Sequence, residues 1–408
     1  MRDVSIIGIG QTRVGEHWDT SLRHLALEAI KGAALEADVD RVDGLFVGNM
    51  LAGELSGQGN LGALIADFVG LRGVEAVTVE AASASGAAAV RQAYLAVAGG
   101  LMDFALVVGV EKLSDVVGSP AVTAQATATD SDYEAAHGVT PLVIAAMMMR
   151  RYMHEYDAAL ADFAALSVNA HLNASTNPYA MFHNKLSVQS FVKAPMVADP
   201  INLFDAAAPA DGAAAVILAP RDWVRRQRDG VAGNPRSATP APLGRGRVAG
   251  GAACVHIAAS AAATDALAIA DRSDPLWLAA AEASANRAYQ QAGVTARDVH
   301  FAELHDAATV LAALSLEACG FAARGGGVNF AKGGGIARDG QTPTGTLGGL
   351  KGRGDPGGAT GVYQIVEAVQ QLRGQAGPNQ IADARIGLAQ SLGANGATAI
   401  THILVRDE

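Results

Sequence analysis

Short runs of apolar, β-branched residues alternate along the chain with longer alanine-rich stretches whose apolar positions recur every three to four residues. Residues 4–10 read as a strand, 22–37 as a helix and 42–48 as a short strand. A helix over 86–99 and a buried strand over 104–110 follow. This alternation predicts a largely parallel sheet covered by helices on both faces. The order then recurs. A helix over 284–294 leads through Asp298-Val299 into 300–306, as 28–37 leads into 42–48, and strands at 385–389 and 397–405 close the chain. A repeat of this length predicts two duplicated halves rather than a solenoid.

One pair of loops marks the repeat. Val79 to Ala88 and Gly352 to Gly361 each carry Gly-Ala near the end and run into an apolar helix pattern. Aligned on Gly86 and Gly358, Ser83 falls opposite Asp355. Each half then presents one polar residue at a helix N-terminus, where backbone N–H groups and the helix dipole favour developing negative charge.

Two regions break the rhythm. Residues 119–198 hold a methionine-rich helix around 147–153 and a polar stretch around 169–185, and read as an inserted cap over the site, the methionines as core filler. Residues 223–247, rich in Arg, Pro and Gly, read as the connection between halves. The expected organisation is an N-terminal half over 1–118, completed by 199–222, the cap, the connection and a C-terminal half over 248–408.

Composition narrows the function. The chain has 408 residues, 50% of them hydrophobic and 17% charged, enough apolar surface for two cores. Its net charge of -10 argues against nucleic-acid binding, but not against a phosphate-bearing ligand held by a few local Arg or Lys residues. Cys254 and Cys319 are too few for a disulfide framework or a cysteine zinc cluster, and read as inert buried thiols. No leader and no uncharged apolar run of membrane-spanning length is present, so a soluble cytoplasmic protein is expected. The glycine runs at 325–327 and 333–335 fit neither a P-loop nor a dinucleotide fingerprint. His154, His171 and His183, in the cap, read as structural or surface residues.

Taken together and in order, several segments resemble the thiolase superfamily, nearest its sterol-carrier-protein type. They are 79–88, Asn177-Pro178-Tyr179, 195–200, 211–215, Glu303-Leu304-His305-Asp306, Gly348-Gly349-Leu350-Lys351, 358–361 and Ser391-Leu392-Gly393. The resemblance implies a five-layer αβαβα fold from two duplicated halves, and a homodimer or larger. It implies CoA thioesters as substrates, no metal or redox cofactor, and a small OB-fold zinc-ribbon protein as a possible partner.

The departures from that pattern bear on chemistry. The family's nucleophilic cysteine is Ser83 here, its His-Pro is Asp355-Pro356, and the second cysteine of classical members is Ser391. A thiolate suits acyl exchange between thioesters, whereas serine needs a strong, aligned base and returns its acyl group to a thiol only uphill. Ser83 therefore reads in three ways: a replaced cysteine, a natural serine with altered chemistry, or a turn residue in a silent site. His305 stands where the resemblance places an oxyanion donor, and Gly393 where it places a backbone donor. Asp355 reads as a base, a group orienting His305 or a helix cap. The expected activity is a thiolase-type acyl-CoA acyltransferase. A retro-aldolase on a β-hydroxyacyl-CoA, needing no acyl-enzyme, and a non-catalytic acyl-CoA-binding scaffold subunit are the alternatives.

Overall fold

The computed structural model describes residues 1–228 and 253–407. The first half contributes strands β1 (Val4–Gln11), β2 (Gly44–Gly48), β3 (Glu75–Val79), β4 (Ala105–Glu111) and β5 (Gly212–Pro220). The second contributes β6 (Val255–Thr264), β7 (Phe301–Glu303), β8 (Ile386–Gly393) and β9 (Thr398–Arg406). Their order is β3-β2-β4-β5-β1-β6-β9-β8-β7. The repeat is visible in the directions. In the first half β2 runs parallel to β4, β4 antiparallel to β5 and β5 antiparallel to β1. In the second, β7 runs parallel to β8, β8 antiparallel to β9 and β9 antiparallel to β6. Strand β3 adds a parallel edge to the first half, and a short antiparallel pairing of Val4–Ile6 with 255–257 joins the two.

The expected largely parallel sheet is corrected here to a mixed one, with three parallel and five antiparallel pairings. Direction is set by the connections. Only residues 394–397 separate β8 from β9, too few for a crossover, so that pair must be antiparallel. The strands of the first half did not reveal it because β2, β4 and β5 are buried along their whole length and read as continuous apolar runs.

Helices complete five layers. Helix α1 (Leu22–Ala37) lies on the outer face of β1, β5 and β4. Helices α2 (Ser85–Ala98) and α7 (Thr360–Leu372) lie together between the halves, and α5 (Ala279–Ala292) covers β6 and β9. The alanine-rich sequence of α2 suits this middle layer, because small side chains let the helix approach its neighbours closely.

Residues 119–198 carry α3 (Pro141–Glu155) and α4 (Ala164–Ala174). Thr140 caps α3 by accepting from the Val143 amide, with Pro141 in the first turn. Met148, Met149, Tyr152 and Phe163 share one apolar core with Leu278, Leu311 and Leu314, so this segment is welded to the C-terminal half. Leu311 and Leu314 belong to α6 (Thr309–Ala318). The connection expected over 223–247 begins as a helix, Arg221–Arg228, and beyond 228 lies outside the described residues. Cys319 is buried, its thiol pushed up to about 12 by burial, whereas Cys254 is only half-buried.

Candidate active site

The two matching loops meet because the helices behind them touch at glycine. A Cβ on Gly86 would lie 2.8 Å from the Gly358 carbonyl oxygen, and one on Gly361 would lie 2.3 Å from the Ala87 amide nitrogen. No side chain fits either gap, so the N-terminal turns of α2 and α7 cross in backbone contact. Ser83 sits just before α2, after Ala82, whose φ of 50° lies in the left-handed region. The Ser85 hydroxyl holds that turn, donating to the Ala82 carbonyl (2.5 Å) and accepting from the Ala81 amide (2.9 Å). The Ser83 hydroxyl contacts the Met50 sulfur at 3.9 Å and has no hydrogen bond to a base among the described residues.

Ser83, His305 and Asp355 line one cavity of about 700 Å³. Its apolar wall includes Leu51, Leu113, Leu142 and Leu311, drawn from both halves and the cap. Buried residues such as Leu51, Leu113 and His305 form its depth, while Asn184, Lys185 and Ser190 are exposed at its mouth.

His305 follows β7. It is 3% exposed, its Nδ1 has no partner among the described residues, and burial, reinforced by the nearby Arg353 guanidinium, pushes its pKa down to about 4. The ring is therefore neutral at physiological pH and carries one N–H to donate and one bare nitrogen. Arg353 is itself fully buried, donates to Glu367 at 2.7 Å and stacks 4.9 Å over Tyr363. Behind it, Glu303 and Glu367 are both pushed up, chiefly by burial.

Asp355 is held by its backbone, which bonds Ala208 and Ala210 at 2.9 Å each. Its Oδ1 accepts from the Gly357 amide and the Thr360 hydroxyl, both at 3.0 Å, so it caps the turn into α7 while facing the cavity. Burial raises its pKa to about 6, partly offset by those bonds and by Arg353. No hydrogen bond joins it to His305 among the described residues.

Ser391 and Gly393 are placed differently. Neither lines the cavity. Ser391 is 1% exposed in β8, its hydroxyl donating to the Gln364 side chain. Gly393 lies against the Ser83 loop, where a Cβ would come within 2.3 Å of the Ala81 carbonyl oxygen. It lets the end of β8 reach that loop.

Three further residues lie at the site, none of which the sequence assigned to it. Glu111, at the buried end of β4, accepts from the Met50 (2.9 Å), Leu51 (3.1 Å) and Gly358 (3.0 Å) amides, tying the two halves together. Burial raises it to about 7 despite those bonds. A lone glutamate closing an apolar strand was the signal for it. His171, expected to be structural or on the surface, is buried in the cavity wall. Lys351, quoted only within a motif, lines the same wall. His154 and His183 are exposed and do not line it. Among the described residues no cluster of His, Cys, Asp or Glu is placed to hold a metal ion, and no helix is long and apolar enough to cross a membrane.

Two family models match the chain: the thiolase N-terminal domain over residues 4–222 and a thiolase C-terminal domain-like model over 261–406. An acetyl-CoA acetyltransferase of Methanothermobacter thermautotrophicus is 41% identical over 409 residues, covering 100% of both chains. Sterol carrier protein 2 of Homo sapiens is 27% identical over 417 residues, covering 98% of this chain and 72% of that protein. Among solved structures, an Ltp2-ChsH2(DUF35) aldolase matches with a TM-score of 0.81 at 24% identity, covering 100% of this chain and 98% of that one. Human mitochondrial 3-ketoacyl-CoA thiolase matches with a TM-score of 0.71 at 16% identity, covering 100% and 99%. At these identities the solved structures speak to the fold alone.

Proposed function

Because the chain belongs to the thiolase family, we propose that it is an acyl-CoA acyltransferase of the thiolase type, making or breaking a carbon–carbon bond beside a CoA thioester. The observation that carries this reading is the convergence of Ser83, His305 and Asp355, from both halves, on one largely apolar cavity. Ser83 occupies the nucleophile position at a helix N-terminus. Neutral His305 donates its N–H to the oxygen that becomes an oxyanion. Asp355, ionised above about pH 6, takes the proton that the reaction releases.

Ser83→Cys tests it. A thiolate is the better acyl acceptor, so this variant should give a covalent acyl adduct on residue 83 with acetyl-CoA or a longer acyl-CoA, read by mass spectrometry. Adding His305→Ala should slow adduct formation by about 10²–10³. Binding of the thioesters without any adduct would overturn the acyltransferase reading.

A second reading follows from the Ser83 hydroxyl, whose contact is a thioether sulfur and not a base. In a retro-aldol cleavage Asp355 would take the proton of a β-hydroxyl group. The Cα–Cβ bond would break with its electron pair on Cα, giving a carbonyl compound and a thioester enolate, the latter hydrogen-bonded by His305 and then protonated on Cα by the Asp355 carboxyl, which returns the proton it took. Release of an aldehyde or ketone from a β-hydroxyacyl-CoA would favour this chemistry. A homodimer through the N-terminal half and a small OB-fold zinc-ribbon partner belong to the same proposal. The dimer is supported by the open outer edge of β3, and the partner by the description of one fold neighbour as an Ltp2-ChsH2(DUF35) aldolase.

A further inference from the structure

The turn between β8 and β9 holds a strained backbone at the cavity wall. Ala394 and Asn395, in succession, have φ of 49° and 52°, in the left-handed region that residues other than glycine rarely enter. Such a pair persists only where its surroundings hold it. Arg272 does so, donating from Nη1 to the Asn395 carbonyl (2.9 Å) and from Nη2 to the Ala394 carbonyl (3.1 Å). Both residues of the pair line the cavity.

One bond orients the Asn395 side chain. Its Nδ2 donates to the Pro141 carbonyl, in the first turn of α3, at 2.8 Å. A carbonyl oxygen only accepts, so the NH2 end of the amide faces Pro141 and Oδ1 points away from it. Oδ1 has no partner among the described residues and is not sealed inside the protein. In a residue that lines the cavity, it is an acceptor presented to whatever enters. Its neighbours in the wall, Ala394, Pro141 and Leu142, carry no side-chain donor. Two residues upstream, Gly393 lies against the Ser83 loop, so this turn runs from the nucleophile position toward the cap.

We propose that Asn395 is a substrate-contacting residue whose Oδ1 accepts a hydrogen bond from a hydroxyl group on the distal part of the acyl chain, and so selects hydroxylated acyl groups over purely apolar ones. The inference rests on the proposed reading of this cavity as an acyl-CoA site. It concerns a part of the ligand that takes no part in the bond made or broken. An amide oxygen covered by an apolar chain loses its water without replacement, whereas a hydroxyl restores the bond. Arg272 and the Pro141 bond fix the amide before the ligand arrives, so little ordering is left to oppose binding.

The test uses isosteric pairs. The ω-hydroxy forms of hexanoyl-, octanoyl- and decanoyl-CoA are each compared with the saturated acyl-CoA one carbon longer, which puts a methyl group where the hydroxyl was. Dissociation constants are measured on the full chain by calorimetry at pH 7. In at least one pair the wild type should favour the hydroxy form by about tenfold. Asn395→Gly should bring that ratio to one or below, with affinity for the methyl partner little changed. Glycine suits a φ of 52°, so this variant relieves strain and should fold. Loss of the cap contact alone would weaken both members of a pair and leave their ratio unchanged. A wild type with no preference for any hydroxy form, or a preference that survives Asn395→Gly, overturns the inference while the acyl-CoA reading stands. If the wild type binds none of these thioesters, both fall.

Discussion

Asp355 stands where the family pattern has histidine, and the exchange of one base for another moves the working pH. Burial lifts its carboxyl to about 6, so it is protonated below that value and available as a base above it. The rate of carbon–carbon bond cleavage or formation, followed as CoA release or carbonyl product, should therefore fall as pH drops through about 6. Asp355→Asn should abolish that limb and lower kcat/KM by about 10²–10⁴. A wild-type profile flat from pH 5 to 8 would remove Asp355 from the base role. His305 contributes no limb in this range, since a ring with a pKa near 4 is neutral throughout. At this scale the sequence showed which residues depart from pattern. It could not show protonation states, because these depend on burial and on Arg353, which only folding brings beside His305.

At the scale of elements, the site depends on how closely α2 and α7 cross. Gly86 and Gly361 let the two N-terminal turns touch, and Glu111 ties both neighbouring loops with three backbone bonds. Gly86→Ala has a permitted helical backbone but forces a methyl against the Gly358 carbonyl. It should destabilise the protein by about 1–3 kcal/mol, seen as a lowered melting temperature. It should also depress activity more than a cavity-distant overpacking variant of equal stability, because the displaced carbonyl lies three residues from Asp355 in the same loop. A melting temperature within a degree of wild type would mean that the crossing tolerates a side chain. The positions of most helices and strands were legible from apolar periodicity, and the two loops from their Gly-Ala signatures. Strand direction was not, since fully buried strands carry no alternation to read.

At the scale of the molecule, β3 leaves one edge of the sheet open at the far side of the N-terminal half, with Val77 exposed. An open edge with apolar side chains is a ready partner for a second copy. Light scattering at micromolar concentration should return twice the chain mass, and Val77→Lys should shift the population toward monomer. A wild-type mass of one chain would overturn the dimer.

What the sequence determined alone is the duplication, and with it the meeting of Ser83 and Asp355: two copies of one unit, packed face to face, must bring equivalent loops together. His305 was legible too, because it follows a strand of the second copy and stands where the family resemblance places an oxyanion donor. Lys351, His171 and Glu111 were decided only by the tertiary structure. Glu111 left only the trace of a polar residue closing an apolar strand, and along the chain Lys351 and His171 do not differ from a surface group or a helix end. Their roles arise from the cap packing on one half, and from the contact between halves that turns Glu111 into a brace for both. Such long-range contacts fix burial and electrostatics, and neither leaves a periodic trace in the order of residues.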